Sequence, residues 1–94
     1  MFNISMDKNN NIKLFGRFDA SQAEKAKGVF SKAQSSCVVD FKDLEYISSA
    51  GLGVLLQARK LLKDKGHEMK LKNLNSHIVD IFKWTGFDQL FEIE

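Results

Sequence analysis

The densest chemical signal in the chain is a run of four small residues, Ser48-Ser49-Ala50-Gly51, with Gly53 close behind. It follows a short apolar run, Cys37-Val38-Val39, closed by Asp40 and Phe41, and precedes a helical apolar pattern that begins near Val54. A strand, then small polar residues, then a helix leaves a helix N-terminus open at the end of a sheet. There, unpaired backbone N–H groups and the positive end of the helix dipole favour an anion. A serine hydroxyl at that spot is placed either to cap the helix or to carry a phosphate, and the residues alone leave both roles open.

Other reactive residue types do not assemble into a catalytic pattern. Gly51-Leu52-Gly53 lacks the spacing and the lysine of a P-loop and is not G-x-G-x-x-G. Ser49 is not centred in G-x-S-x-G. His67 and His77 lie ten positions apart, beside different elements, with no carboxylate or cysteine at metal-ligand spacing, and read as solvated surface histidines. Cys37 is the only cysteine, so no intrachain disulfide forms; in a buried strand its thiol is packing rather than nucleophile. Trp84 is expected at the edge of the core. The net charge of +2, with acids and bases mixed along the chain, gives no basic stripe for nucleic acid. No apolar stretch approaches the roughly 18 residues of a membrane span, and no basic leader precedes an apolar run, so the expectation is a cytoplasmic, non-enzymatic protein without a cofactor.

The elements that position the serines follow from hydrophobic period. Ninety-four residues, 44% of them apolar, suit one domain spanning 1–94. Phe2, Ile4 and Met6 alternate with polar residues, as do Ile12, Leu14, Gly16 and Phe18, predicting an antiparallel hairpin across Asp7-Lys8-Asn9-Asn10. Asp19 or Ser21 starts a helix that buries Ala23, Ala26, Val29, Phe30 and Ala33. The central strand is expected to end near Phe41, with Lys42-Asp43-Leu44-Glu45 as a turn, and the second helix to run from about Ser49 to Lys65, stopping at Gly66. Met69 and Leu71 mark a fourth strand. Asn75 or Ser76 caps a third helix whose Ile78, Ile81 and Phe82 face inward. Phe87, Leu90, Phe91 and Ile93 then tie the C-terminus to the core, with room for a short last strand. The order β-β-α-β-α-β-α makes an α/β domain with a mixed sheet and right-handed crossovers. The Asp40–Phe41 strand end is expected to meet the second helix at one end of that sheet, leaving Ser49 accessible and Asp19 nearby.

Along the second helix, Val54, Leu55, Ala58, Leu61 and Leu62 gather on one face and are expected in the core. Leu52 and Leu56 fall on the other side, in line with Ser49, Gly53, Lys60 and Lys63. Leucines bordered by lysines there read as a docking strip for another protein, as residues covered by a neighbouring helix, or as ordinary exposed leucines.

Asp40 to Leu52, read as D-x-x-x-L-x-x-I-S-S-A-G-L, resembles the signature of the STAS domain, shared by bacterial anti-sigma factor antagonists and the cytoplasmic tails of sulfate transporters. Gly16-Arg17-Phe18-Asp19 is similar to that family's turn before the first helix, and Phe82 to Phe87 with Leu90-Phe91 resembles its closing helix and turn, so the likeness covers nearly the whole chain. The resemblance implies a regulator of transcription in bacterial signalling that acts by protein–protein interaction. Such a protein binds an anti-sigma factor serine kinase and is switched off when that kinase phosphorylates it. The family's phosphorylated serine lies two residues before the motif glycine, which maps onto Ser49, with Ser48 as the alternative. Many members carry an aspartate immediately before that serine; this chain has Ser48. The resemblance also implies that Asp19 helps to dock the kinase; joined to the strip read from the period of the second helix, this gives an expected partner surface of Asp19, Ser48, Ser49, Leu52, Gly53, Leu56 and Lys60. ATP and magnesium would belong to the kinase. Two other readings stay open: an unphosphorylated STAS subunit of a transport or other complex, and a small-ligand or nucleotide-binding module using the same helix N-terminus.

Overall fold

The computed structural model describes residues 1–94 as a five-stranded sheet in the order β1-β2-β3-β4-β5 with three helices. β1 (Phe2–Met6) and β2 (Ile12–Phe18) form the antiparallel hairpin, while β3 (Cys37–Ile47), β4 (Met69–Lys72) and the two-residue β5 (Glu92–Ile93) each add in parallel. The hairpin turn is tied by the Asp7 carboxylate, which accepts the N–H groups of Asn9 and Asn11 at 2.8 and 3.0 Å. Gly16 has no alternative there, because a Cβ would stand 2.0 Å from the Met1 carbonyl oxygen at φ +86°.

Strands added in one direction through right-handed crossovers put α1 (Ala23–Phe30), α2 (Ser49–Asp64) and α3 (Ser76–Thr85) on the same face of the sheet. Burial agrees: Ile12, Leu14 and Phe18 are sealed in the core, whereas Lys13, Phe15 and Arg17 between them are exposed. One row of the solvent face alternates in charge, Lys13, Asp40 and Lys72 on adjacent strands, the kind of cross-strand pairing that lets a sheet face stay wet.

The central strand is longer than expected. Lys42-Asp43-Leu44-Glu45 is not a turn; β3 runs through it to Ile47. Two register shifts against β2 each insert an extra β3 residue, so Phe41, Leu44 and Ile47 all point inward at a spacing of three while Lys42, Asp43 and Glu45 remain in solvent. A polar cluster in a bulged strand mimics a turn in sequence. Asp40 consequently sits mid-strand rather than at the site. Burial alone would push its carboxyl up, but hydrogen bonds from the Asn73 side chain and the Lys42 N–H, both 2.9 Å, with Lys72 and Lys13 nearby, hold it below the ordinary value.

The second helix is rotated from its expected orientation. Gly51, Leu52, Val54, Leu55, Ala58 and Leu62 are buried, Leu56 is half-buried against the core, and Leu61 is 53% exposed. At 100° per residue the apolar side chains of α2 spread over roughly 220°, too wide for one interface. The core takes the middle of that arc, about 50° from the face expected, and leaves Leu56 and Leu61 at its two flanks. Two turns beyond Leu52 on the same side of the helix, Arg59 lies over the Phe91 ring at 5.9 Å. Leu52 is therefore core, at 3% exposure, and no part of a docking strip.

Smaller corrections follow the same packing logic. Asp19 opens a 3-10 turn, Ala20–Gln22, before α1, and Ala33 is buried beyond that helix rather than on it. In α3, Ile78 and Phe82 are sealed in and Ile81 is half-buried. Phe82 packs edge-on against Phe41 and Phe87, so Trp84, about 200° further around, points away and is 82% exposed rather than at the core edge. Of the four apolar residues expected to anchor the C-terminus, Phe91 is buried and Phe87 half-buried; Leu90 and Ile93 face solvent because β5 pairs along only two residues.

Candidate functional site

β2 and β3 end side by side, with Phe18 opposite Ile47, so Asp19 and Ser48 leave the sheet as neighbours. The Ser48 N–H donates to the Phe18 carbonyl at 2.9 Å, extending the ladder by one residue and fixing where α2 begins. Ser48 then acts as the helix N-cap. Its backbone is extended, its Oγ accepts the Gly51 N–H at 3.2 Å, and its carbonyl accepts the Leu52 N–H at 2.9 Å. All three of its polar groups are thus committed to structure.

Ser49 is the first helical residue and is exposed. Its hydroxyl is engaged by no protein group, and the N–H groups of Ser49 and Ala50 have no acceptor within the helix because they lie in its first turn. The two adjacent serines therefore differ in kind: one hydroxyl is spent on the cap, the other is free at the positive end of a four-turn helix.

Gly51 lets the helix start this close to the sheet. A Cβ there would meet Ile47 Cγ1 at 2.9 Å, the Phe18 carbonyl oxygen at 3.0 Å and the Phe18 ring at 3.1 Å. Gly53, by contrast, is exposed, and a Cβ would touch nothing within 4 Å. It leaves a bare patch one turn beyond Ser49, followed outward by half-buried Leu56 and exposed Lys60. Asp19 stands on the neighbouring strand end. Its Oδ1 accepts from the Ser21 hydroxyl at 2.6 Å and the Ser21 N–H at 3.1 Å. The Ser21 hydroxyl bond is the main reason its carboxyl titrates below the ordinary value, helped by Arg17 and the chain's amino terminus. It is anionic at neutral pH and already employed as a cap.

The structure thus brings Asp19, Ser48, Ser49 and Gly53 to one end of the sheet, runs Leu56 and Lys60 along the adjoining helix, and removes Leu52 to the interior. Elsewhere, no three His, Cys, Asp or Glu side chains converge, and Cys37 is a protonated thiol at neutral pH because burial pushes it up to about 11. His77 is exposed and His67 half-buried. No helix is long and apolar enough to cross a membrane. Leu61, on the face where the period of α2 predicts core, is exposed beside this helix's buried stripe.

A family profile of the STAS domain matches residues 3–94. The chain is similar to the putative anti-sigma factor antagonist BtrV of Bordetella bronchiseptica, 38% identical over 72 residues, which are 77% of this chain and 61% of that protein. Its similarity to the anti-sigma-B factor antagonist of Bacillus subtilis is 36% over 52 residues, 55% of this chain. The chain spans about half the length of the Bacillus relative, 48%, and about three fifths of the Bordetella one. In fold it resembles a putative anti-sigma factor antagonist from Thermotoga maritima, with a TM-score of 0.80 at 20% identity over 99% of this chain and 85% of that one. It also resembles the Bacillus cell fate determinant SpoIIAA in its phosphorylated form, with a TM-score of 0.72 at 19% identity over 100% of this chain and 91% of that one.

Proposed function

Because the chain belongs to the STAS domain family, we propose that it is an anti-sigma factor antagonist: it binds an anti-sigma factor serine kinase, and phosphorylation of Ser49 ends the interaction. The observation that carries this reading is the division of labour between the serines. Ser49 offers an accessible, uncommitted hydroxyl at the first position of α2, while Ser48 holds the helix start. Serine and aspartate are both strong N-caps, so the departure from the family's usual aspartate at this position preserves the cap.

A phosphate on Ser49 adds about −1.5 to −2 charges and three acceptor oxygens at neutral pH. At a helix N-terminus that charge faces the unpaired N–H groups and the positive end of the dipole, so the fold tolerates it. The cost falls on the partner, which must desolvate a dianion to cover the same surface and meet it beside anionic Asp19. Asp19, Ser48, Ser49, Gly53, Leu56 and Lys60 make up the proposed contact: Gly53 admits close approach, Leu56 supplies its partly open apolar edge, and Lys60 supplies charge. This chain is substrate and ligand, and the kinase supplies ATP and magnesium.

The test is phosphorylation by the cognate kinase followed by mass spectrometry of the peptide containing both serines. One phosphate on Ser49, retained in Ser48→Ala and lost in Ser49→Ala, supports the reading. Labelling that follows Ser48 overturns it.

A further inference from the structure

One strand away from the serines, the end of the sheet holds a charged group that nothing else in the chain pairs. β2 alternates inward and outward to its last residue, and Asp19 continues it in extended backbone, φ −112° and ψ −176°. Lys13, Phe15, Arg17 and Asp19 therefore lie in one row on the solvent face, with Arg17 about 7 Å before Asp19. Beside them, Tyr46 and extended Ser48 end the matching row of β3. The second register shift decides what Arg17 meets. Gly16 is opposite Leu44, so an unbroken ladder would set Arg17 against Glu45; the extra residue passes Glu45 by and sets Arg17 against Tyr46. The guanidinium lies over the Tyr46 ring, 4.5 Å from its centre.

Stacked there, Arg17 keeps its side-chain donors free. The chain's two ion pairs are Lys27–Glu24 and Lys70–Glu92, so none of Asp19, Asp43 and Glu45 reaches Arg17 within 4.0 Å. Asp19 feels the Arg17 charge, but its Oδ1 is held by Ser21. Tyr46 is half-buried and Arg17 exposed, so the ring supports a guanidinium that faces solvent. A partner that covers Asp19 also covers Arg17, the next residue down the same row. Burying a guanidinium without a counter-charge is strongly unfavourable, and the chain supplies none. The partner must bring it. A planar fork held against a ring suits the two oxygens of a carboxylate.

We propose that Arg17, held in place by Tyr46, forms a bidentate ion pair with a carboxylate of the kinase, so that Arg17 and Asp19 together select a partner by its charge pattern. The inference rests on the reading of Ser49 as that kinase's substrate, and its test separates the two. Calorimetric affinity of the kinase for the unphosphorylated full chain is measured beside labelling of Ser49 and a melt of each variant. Arg17→Gln should weaken binding about tenfold and Arg17→Glu about a hundredfold, with melting temperatures within a few degrees of the parent. Arg17→Lys should recover only part of the loss, because an ammonium keeps the charge but not the fork. Tyr46→Phe should bind like the parent, and Tyr46→Leu roughly three- to fivefold more weakly. Lys13→Gln, further down the same row, should bind like the parent. The salt dependence of binding should be shallower in Arg17→Gln. Binding of Arg17→Glu within about twofold of the parent, with Ser49 still labelled, overturns this inference alone. A kinase that neither binds the parent nor labels Ser49 overturns the reading beneath it as well. Full affinity in both Arg17→Lys and Tyr46→Leu also overturns the inference. So does an effect of Arg17→Gln confined to the phosphorylated chain, which gives the guanidinium to the phosphate of the same molecule.

Discussion

Replacing each of the two adjacent serines by alanine should separate stability from signalling. Ser48→Ala removes the Oγ that accepts the Gly51 N–H, and because Gly51 is buried that donor gains no water in exchange. Loss of an N-cap costs about 0.5–2 kcal/mol. The 3.2 Å separation is at the long end for such a bond, which places the expectation near 1 kcal/mol. For a domain of this size that lowers the melting temperature by roughly 4–8 °C. Ser48→Asp, another strong cap, should recover most of the loss. Ser49→Ala removes a hydroxyl with no protein partner and should stay within about 0.5 kcal/mol of the parent. Thermal melts followed by circular dichroism give the first readout and kinase labelling the second: Ser48→Ala should be less stable yet labelled, Ser49→Ala stable yet unlabelled. A melt in which Ser49→Ala is the destabilised variant would refute the cap assignment and the argument built on it.

The two motif glycines should respond to alanine with opposite signs. Gly51→Ala forces a methyl against Ile47 and Phe18 and should cost about 1–3 kcal/mol, whereas Gly53→Ala, open on all sides within the helix, should gain about 0.5–1 kcal/mol; denaturant titrations measure both. Leu52→Ala should cost about 2–5 kcal/mol as a core truncation, and Leu56→Ala, half-buried, about 1 kcal/mol together with some loss of partner affinity. Asp19 and Asp40 both titrate below the ordinary 3.8 in the folded chain, so the unfolded chain binds more protons in acid. Their contribution is complete above about pH 5 and is lost as pH falls through the lowered folded values, so melting temperature should be level near neutrality and decline below about pH 4, less steeply in Asp40→Asn.

Much of the fold was legible because its signals were local. The β1–β2 hairpin, the Asn75 cap of α3 and the strand at Met69–Lys72 each follow from a period or a capping residue within a few positions. What escaped was set by tertiary packing. Nothing in Lys42-Asp43-Leu44-Glu45 says that two bulges will carry those polar residues along a strand. The apolar arc of α2 is too broad for its own pattern to say which flank the rest of the chain covers. In the folded chain Leu52 is buried and Leu61 exposed. The serine pair was legible as a helix start, but the distinction between cap and free hydroxyl appears only when Ser48 is seen bonded to both Phe18 and Gly51.

The central claim is that charge on Ser49 governs partner binding without disturbing the fold. The most direct measurement is calorimetric affinity for the kinase of this chain before and after stoichiometric phosphorylation, with a melt of each form. Phosphorylation is predicted to weaken binding on the order of a hundredfold, about 2.7 kcal/mol, while the melting temperature stays within a few degrees. Equal affinity for both forms would contradict the account, and so would a loss of affinity accompanied by collapse of the melting transition.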